Sequence, residues 1–435
     1  PVGWNLALLV VALLAWGGLM LRQVRTGQAR VASLLLAGVG GLLALLVFAL
    51  AAWALYAVLG AAGAMPATWT AQAASLVAGF LLLAVVAASL LARPAVRWLG
   101  APAVATGSLL PFALVATFTT LAMPGATYMG LVPLLAGALA GHAWLRRPVL
   151  QGGIAAIVAA ALWSTYSVSS HEAIGHAGLV ATTVLAGLVL LPALPVLDGL
   201  GRAQRWLVFA ALAGTLLCAA LAIVRPPFDA EVPRPMNLVL AGPGDRMQVF
   251  ADDFATELPA AFLDDAGFAA DAQEILPWMD WSAYPGRAGP TLAAPVAEVV
   301  ADEVRDGRRH VRLRLQSRRD ADRIGLFLPA TAGATALRVR GQALPPPPDY
   351  AGDAPWRWIS VIGPDADGVE VSFEADPGAT IELYVIDRTH RLPSQLDGAL
   401  RARDAVAVPI HGGDITLVWS PVRLGQASSF STSAR

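Results

Sequence analysis

The sequence predicts a polytopic α-helical membrane bundle of about eight transmembrane helices, followed by an all-β, sandwich-like extracytoplasmic domain. Long apolar runs, the sorting of arginine among the loops between them, and two-residue alternation in the second half lead to this prediction. Residues 1–225 contain ten Arg and two acids, a net charge of +8. Residues 226–435 contain twenty Arg and twenty-nine acids, a net charge of −9. We therefore expect a transmembrane domain over 1–225 and a separate β-rich domain over 226–435.

Eight apolar stretches of the first half are long enough to cross the ~30 Å hydrocarbon core of a bilayer. They cover residues 4–21, 31–59, 73–92, 103–122, 127–145, 150–168, 177–197 and 206–224. Pro111 and Pro133 lie within the fourth and fifth stretches, and Pro192 and Pro195 lie near the end of the seventh. We expect kinks at these prolines, because proline removes a helix hydrogen bond.

The loops between the apolar stretches carry either two or three arginines or none, in strict alternation, and the chain contains no lysine. Arginine follows the first, third, fifth and seventh stretches, at Arg22, Arg25, Arg30, Arg93, Arg97, Arg146, Arg147, Arg202 and Arg205. Cationic loops stay on the cytoplasmic side of a membrane. We therefore expect an integral membrane protein of a bacterial inner membrane, or of an organelle, with both ends of the bundle extracytoplasmic.

The period of the apolar residues changes to two beyond the proline-rich exit from the last helix. Apolar and polar residues alternate over 310–315, 337–340, 369–374 and 381–386, which predicts half-buried strands of an antiparallel sheet. Asp306-Gly307 and Asp367-Gly368 are typical of hairpin turns. Residues 254–276 suggest a short helical excursion, and Pro345–Pro348 suggests a rigid polyproline connection.

The composition of the chain and the positions of its charged residues argue against several functional classes. The tail is acidic and lacks a basic patch with interleaved aromatics, so nucleic acid is not an expected partner. The single cysteine, Cys218, cannot form an internal disulfide. A transporter would place ionisable groups near the membrane midplane, and only His142 is a candidate. Polyprenyl-phosphate glycosyltransferases need acids in an early outside loop, and residues 60–72 contain none.

His171-Glu172-Ala173-Ile174-Gly175-His176 invites comparison with a zinc-binding helix. Such a helix places its two histidines four residues apart, so that both face one metal ion. Here the separation is five, which turns the second imidazole about 140° away on a continuous helix. We expect a polar, solvated loop, and the alternative is a weak metal site completed by groups elsewhere.

Other polar clusters also resemble sites only in part. Asp365-Ala366-Asp367-Gly368 echoes a calcium loop, but its glycine comes too early, so a turn is expected. His411 to Asp414 forms a polar turn without a nucleophile. Four acids, which we expect to be solvated, offer an alternative acid–base pairing: Asp252, Asp253, Asp264 and Asp265. The sequence therefore assigns no catalytic, metal-binding or cofactor-binding residue.

Five short segments of the tail carry a resemblance to a known family. They are Pro235-Met236-Asn237-Leu238-Val239, Pro277-Trp278, Leu292 to Pro295, Val385 to Pro393, and Asp414 to Val418. With the helices before them, they resemble the C-terminal portion of membrane-anchored zinc exopeptidases of metallopeptidase family 28. This group includes the vacuolar membrane proteases and their bacterial relatives.

The resemblance implies a peptidase domain with two zinc ions upstream of the helices, acting on peptide substrates near a free N-terminus. It also implies that a metal-bound water attacks the peptide carbonyl, with a carboxylate as general base. The chain begins at Pro1, directly before the first apolar stretch, which fits a catalytic domain expected upstream and absent here. No residue of this chain matches the zinc ligands, so the helices and β-domain would act as anchor and C-terminal domain.

Two alternatives remain open at this point. The first is a non-enzymatic polytopic membrane protein whose β-domain binds a partner or a glycan. The exposed aromatics of a glycan site would then come from tryptophans whose default role is to fill the core: Trp278, Trp281, Trp356 and Trp358. The second is a transporter.

Overall fold

A computed structural model describes residues 2–253, 267–269, 271–276, 278, 281–345, 355–405, 407–410 and 412–425. The chain divides into two compact units, Pro1–Val232 and Pro233–Arg435. The described part of the first unit contains ten α-helices. They are α1 (Val2–Arg25), α2 (Val31–Ala61), α3 (Ala73–Leu99), α4 (Ala101–Gly107), α5 (Leu110–Ala122), α6 (Tyr128–Ala143), α7 (Pro148–Ile174), α8 (Gly178–Leu190), α9 (Leu194–Gly199) and α10 (Arg202–Val224).

Seven segments of the described chain are long and apolar enough to cross a membrane, where about eight were predicted. The difference lies in the segment Pro148–Leu190, which contains both α7 and α8, joined by a 3-10 turn at Gly175–Ala177. The predicted helix over 177–197 is divided into α8 and α9, because Pro192 cannot continue a helix. The predicted helix over 103–122 is likewise divided into α4 and α5, and Pro111 lies in the first turn of α5.

The arginine-bearing loops gather at one end of the bundle. Residues around the α1–α2 loop share an apolar cluster with Leu99 and Ala103 at the α3–α4 junction. Arg22 donates a hydrogen bond of 2.8 Å to the carbonyl oxygen of His142, near the end of α6. The C-terminal part of α3 packs against α9 and the start of α10. The alternation of loops with and without arginine in the sequence therefore corresponds to a separation of these loops along the bundle.

The described part of the second unit contains two sheets and one short α-helix, α11 (Asp397–Asp404). The described strands are β1 (Arg234–Gly242), β2 (Gln248–Asp253), β3 (Gln273–Glu274), β4 (Ser282–Ala288), β5 (Val296–Arg305), β6 (Arg308–Gln316), β7 (Arg323–Pro329), β8 (Thr335–Val339), β9 (Gln342–Ala343), β10 (Trp356–Ile362), β11 (Val369–Ala375), β12 (Ile381–Thr389), β13 (Ala407–Val408) and β14 (Ile415–Leu424). The large sheet has the order β10-β7-β12-β14-β1-β2-β4-β3, with β13 beside β1, and the small sheet has the order β5-β6-β11-β8-β9.

The two sheets share one hydrophobic core, so the predicted sandwich is confirmed. Alternate residues of β6 and β11 in the small sheet meet alternate residues of β7 and β12 in the large one. The four predicted alternating segments form β6, β8, β11 and β12. Asp306 and Gly307 both have positive φ, at 51° and 75°, and form the predicted hairpin turn between β5 and β6.

The tail departs from the prediction at two places. Gly368 donates a backbone hydrogen bond of 3.0 Å to Asp365, so a turn forms there, but it connects strands of different sheets and is not a hairpin turn. The large sheet is mixed, because β1 pairs in parallel with β13 and β14. Most of the helical excursion expected over 254–276 and of the polyproline segment lies outside the described residues.

A buried hydroxyl links three helices inside the bundle. Thr106 of α4 accepts hydrogen bonds at Oγ1 from Gln23 Nε2 of α1 at 2.9 Å and from Gln151 Nε2 of α7 at 3.0 Å. Its carbonyl oxygen accepts a third from Trp16 Nε1 at 2.9 Å. All three polar side chains of this Thr106 hub, Gln23, Thr106 and Gln151, are buried. In an apolar bundle, where water cannot replace a lost partner, such bonds fix how the helices meet.

We expect Thr106→Val to lower the free energy of unfolding of the bundle by about 1–3 kcal/mol, because two buried amide groups lose their acceptor while the side-chain shape is kept. Thermal unfolding of the purified chain in detergent measures the effect. Thr117→Val is the matched control, since Thr117 Oγ1 donates to Ala113 of its own helix at 2.8 Å. Equal shifts in the two variants would contradict the role assigned to the hub.

Candidate functional site

One face of the large sheet carries aromatic side chains on neighbouring strands. Phe327 of β7 pairs with Trp358 of β10 on one side and with Tyr384 of β12 on the other. The rings of Phe327 and Trp358 stack, with centroids 5.5 Å apart and planes 8° apart. Trp278 stacks on Tyr384 with centroids 3.9 Å apart. Because side chains alternate along a strand, these residues lie on the face opposite the core shared by the two sheets.

A cleft of about 70 Å³ lies beside this aromatic layer, and we call it the aromatic–arginine cleft. Trp281, Trp358, Arg323 and Arg388 line it together with apolar residues of the sheet. Gly325 belongs to the lining, and a Cβ atom there would lie 2.5 Å from the carbonyl oxygen of Ile359 and 3.1 Å from Trp358 Nε1. The absence of a side chain at Gly325 therefore gives room for the indole of Trp358.

The two arginines of the cleft stand directly opposite each other on β7 and β12. Burial lowers the pKa of Arg388, the charge of Arg323 lowers it further, and Asp322 opposes this shift. Asp322 is also hydrogen-bonded to His390 Nδ1. Within the described residues, the buried Nε of Arg388 has no hydrogen-bond acceptor. Like charges directly opposite in a sheet are unfavourable, so this end of the cleft favours an anion.

The chemistry of the cleft is that of a binding site. Guanidinium groups bind carboxylate, sulfate or phosphate groups through charge-assisted hydrogen bonds. An indole ring offers a flat apolar face beside them. The arrangement therefore suits a ligand that carries an acidic group next to a ring or an apolar surface.

The four tryptophans named from the sequence come together at this face, but with different roles. Trp278 is 6% exposed and fills the core of the aromatic layer, with Trp356 6.5 Å away between ring centroids. Trp358 is 52% exposed, and Trp281 is half-buried in the lining of the cleft. Arg323 and Arg388 were not found from the sequence, because their pairing depends on the register of β7 and β12.

The expectation for His171 and His176 was wrong. His171 lies in the last turn of α7, His176 lies in the 3-10 turn after it, and both are buried. Gly175, with φ of 64°, ends the helix and changes the direction of the chain. The His176 ring therefore packs against His171, with Nε2 of His171 and Nδ1 of His176 3.2 Å apart. Thr70 Oγ1 lies 3.3 Å from His176 Nε2. The angle calculated for a continuous helix therefore does not apply.

The other polar clusters are structural where the chain is described. Asp414 accepts hydrogen bonds from Leu238 and Arg403. His142 Nε2 lies 2.9 Å from the carbonyl oxygen of Ala15. The described residues contain no group of three or more His, Cys, Asp or Glu side chains that could hold a metal ion. His411, Asp264, Asp265, Pro277 and the side chain of Asp253 lie outside the described residues.

Comparison with known proteins gives no match. No family model, no curated protein and no solved structure matches this chain. The assignment of the cleft therefore rests on its own residues and their contacts.

We expect Arg323→Gln to raise the free energy of unfolding of the ligand-free β-domain by about 0.2–1 kcal/mol, because it removes a like charge opposite Arg388. The gain should shrink as salt screens the repulsion. Urea unfolding of the purified chain at low and high salt, followed by tryptophan fluorescence, measures it.

Arg314→Gln is the matched control, because Arg314 on β6 lies 3.5 Å from Glu298, an opposite charge. This variant should be neutral or slightly destabilised. A loss of stability in Arg323→Gln as large as that in Arg314→Gln, or larger, would mean that the two arginines of the cleft do not repel each other.

Proposed function

We propose that this chain is the membrane anchor and C-terminal domain of a zinc-dependent exopeptidase similar to the vacuolar membrane proteases. In this proposal the arginine-bearing end of the bundle lies in the cytoplasm, and the β-domain lies outside a bacterial inner membrane. The apolar helices followed by a β-rich unit support the proposal. The observation that carries it is the position of the segments that resemble the family.

Three of these segments are adjacent at the centre of the large sheet. Pro235–Val239 lies in β1, Val385–Thr389 in β12, and Ile415–Val418 in β14. β14 pairs with β1 on one side and with β12 on the other. A resemblance scattered along the sequence is therefore concentrated in one structural element.

Polar residues of the same segments join these strands. Asp414 Oδ1 accepts from the backbone nitrogen of Leu238 at 2.8 Å, and Asp414 Oδ2 accepts from Arg403 Nη2 at 2.8 Å. Asn237 Oδ1 accepts from the backbone nitrogen of Ile410 at 2.8 Å. These bonds give Asp414 and Asn237, two polar residues of the segments, a structural role at β1.

The proposed role of this chain is to hold and orient the catalytic domain. The described residues contain no cluster suited to zinc. In the proposal, the two zinc ions and their ligands belong to a peptidase domain of the same polypeptide. The helices keep that domain at the membrane surface, and the β-domain shapes the approach of peptide substrates.

The native polypeptide tests this proposal directly. An antibody against the β-domain should detect in native membranes a protein much larger than 45.1 kDa, the mass of this chain. The immunopurified protein should contain zinc and release N-terminal residues from peptides, and a chelator should abolish the release. A native polypeptide of about the same mass as this chain, without zinc, would contradict the proposal.

A second candidate function is favoured by the aromatic–arginine cleft. In this alternative, the chain is a non-enzymatic membrane protein whose β-domain binds an acidic glycan. Trp358 would stack on the sugar ring, and Arg323 and Arg388 would bind its carboxylate. The Nε of Arg388, which has no hydrogen-bond partner among the described residues, supports this assignment.

Binding of glucuronate oligosaccharides tests the glycan candidate. We expect them to quench tryptophan fluorescence, and Arg388→Gln to weaken binding about tenfold or more, because a charge-assisted hydrogen bond is lost. Neutral glucose oligosaccharides and Arg314→Gln are the controls. Equal binding of the neutral and acidic sugars would contradict the role of the arginines.

A further inference from the structure

A groove of about 540 Å³ runs between α3 and α10 at the arginine-bearing end of the bundle. Four residue rows, each with a spacing of four along a helix, line it. On α3, one row is Ser89, Arg93 and Arg97, and the other is Leu90, Pro94 and Trp98. On α10, one row is Gln204 and Val208, and the other is Arg205 and Phe209. Residues four apart share a helix face, so each of the two helices lines the groove with a continuous strip of side chains.

Three arginines make this α3–α10 groove strongly cationic. Arg93 and Arg97 are like charges four residues apart on one helix, which is unfavourable without an anion between them. Arg205 adds a third charge from the facing helix. No acid lines the groove, and within the described residues no ion pair joins these arginines to a carboxylate.

The groove also contains polar atoms without partners. Ser89 Oγ is buried and has no hydrogen-bond partner among the described residues. Pro94 has no N–H group, so the carbonyl oxygen of Leu90 lacks its donor in the helix. Ser89 Oγ can donate a hydrogen bond to an oxygen of a ligand in the groove, and the Leu90 carbonyl oxygen can accept one from a hydroxyl group.

The rest of the groove is apolar and open to the surroundings of the bundle. Leu90 is 61% exposed, Trp98 80% and Phe209 65%. Leu90 lies farther from the end of α3 than Arg93 and Arg97 do, and Phe209 lies farther from the start of α10 than Arg205 does, so these two apolar side chains lie deeper than the arginines of their own helices. Trp98 lies beside Arg97 at the end of α3, where an indole ring suits the membrane interface. This order matches a phospholipid, whose charged head lies at the surface and whose acyl chains lie below it.

We propose that the α3–α10 groove is a specific binding site for an anionic phospholipid. Arg93, Arg97 and Arg205 bind the phosphate, since guanidinium groups bind phosphate oxygens by charge-assisted hydrogen bonds. The acyl chains lie along Leu90 and Phe209. Basic pockets between transmembrane helices suit anionic lipid heads in this way.

Native mass spectrometry of the delipidated full chain in detergent tests the site. We expect phosphatidylglycerol to bind in preference to phosphatidylcholine with the same acyl chains. The triple variant Arg93→Gln, Arg97→Gln and Arg205→Gln should weaken phosphatidylglycerol binding by roughly a hundredfold, because each arginine near an anionic head contributes about fivefold.

The chain offers a matched control at the same end of the bundle. Arg25→Gln, Arg146→Gln and Arg147→Gln together remove the same charge and leave the Arg22–His142 hydrogen bond intact. This control should bind phosphatidylglycerol within about threefold of the unchanged chain, because distant exposed charges are screened. An equal loss in both triple variants would overturn the proposal, since it would show a general attraction of charge.

Two further measurements separate a lipid from free phosphate and guard against misfolding. Phe209→Ala keeps every arginine and should weaken phosphatidylglycerol binding while leaving any binding of inorganic phosphate unchanged. Complete displacement of phosphatidylglycerol by millimolar inorganic phosphate, or unchanged lipid binding in Phe209→Ala, would overturn the lipid assignment.

Discussion

The inability of a bilayer to supply hydrogen-bond partners is the constraint on which the first unit depends. The backbone meets it by forming helices, and the side chains meet it by bonding to one another. The Thr106 hub is an example, because one threonine accepts hydrogen bonds from two glutamines and one tryptophan of two other helices. At the end of the bundle opposite the arginine-bearing loops, Thr70 and Thr68 contact His176, and Gln72 donates to the carbonyl oxygen of Arg225. Polar residues are few in this unit, and several of the buried ones bond one helix to another.

Arginine side chains are distributed and paired differently in the bundle and in the β-domain. Nine of the ten arginines of residues 1–225 lie at one end of the bundle, where the α3–α10 groove combines three of them with exposed apolar side chains. In the β-domain most exposed arginines have acidic neighbours, as Arg312 has Glu370 and Arg340 has Asp365. Arg323 and Arg388 depart from that pattern within the described residues, because they face each other. Neither group forms an ion pair with a carboxylate among the described residues, so both mark places where an anion from outside the chain would balance the positive charge.

The sequence predicts those structural features that depend only on residues close to one another along the chain. β6, β11 and β12 were found because one face of each is buried and the other is not. β1 was missed because all of Asn237 to Gly242 is buried, so no alternation appears. The His171–His176 contact was missed because Gly175 reverses the chain, and the cleft was missed because its arginines meet only through strand register. Long-range pairing is what local patterns cannot supply.

The central claim is that the arginine-bearing end faces the cytoplasm and the β-domain faces outward. Replacing Cys218, the single cysteine, with serine allows new cysteines to report on sidedness. We would place one at a time at Thr26→Cys near the arginines, Ala62→Cys at the other end, and Ala366→Cys in the β-domain, all exposed positions. A membrane-impermeant thiol reagent applied to intact bacterial spheroplasts should label Ala62→Cys and Ala366→Cys, and should label Thr26→Cys only after permeabilisation. Labelling of Thr26→Cys in intact spheroplasts, with Ala366→Cys protected, would contradict the account.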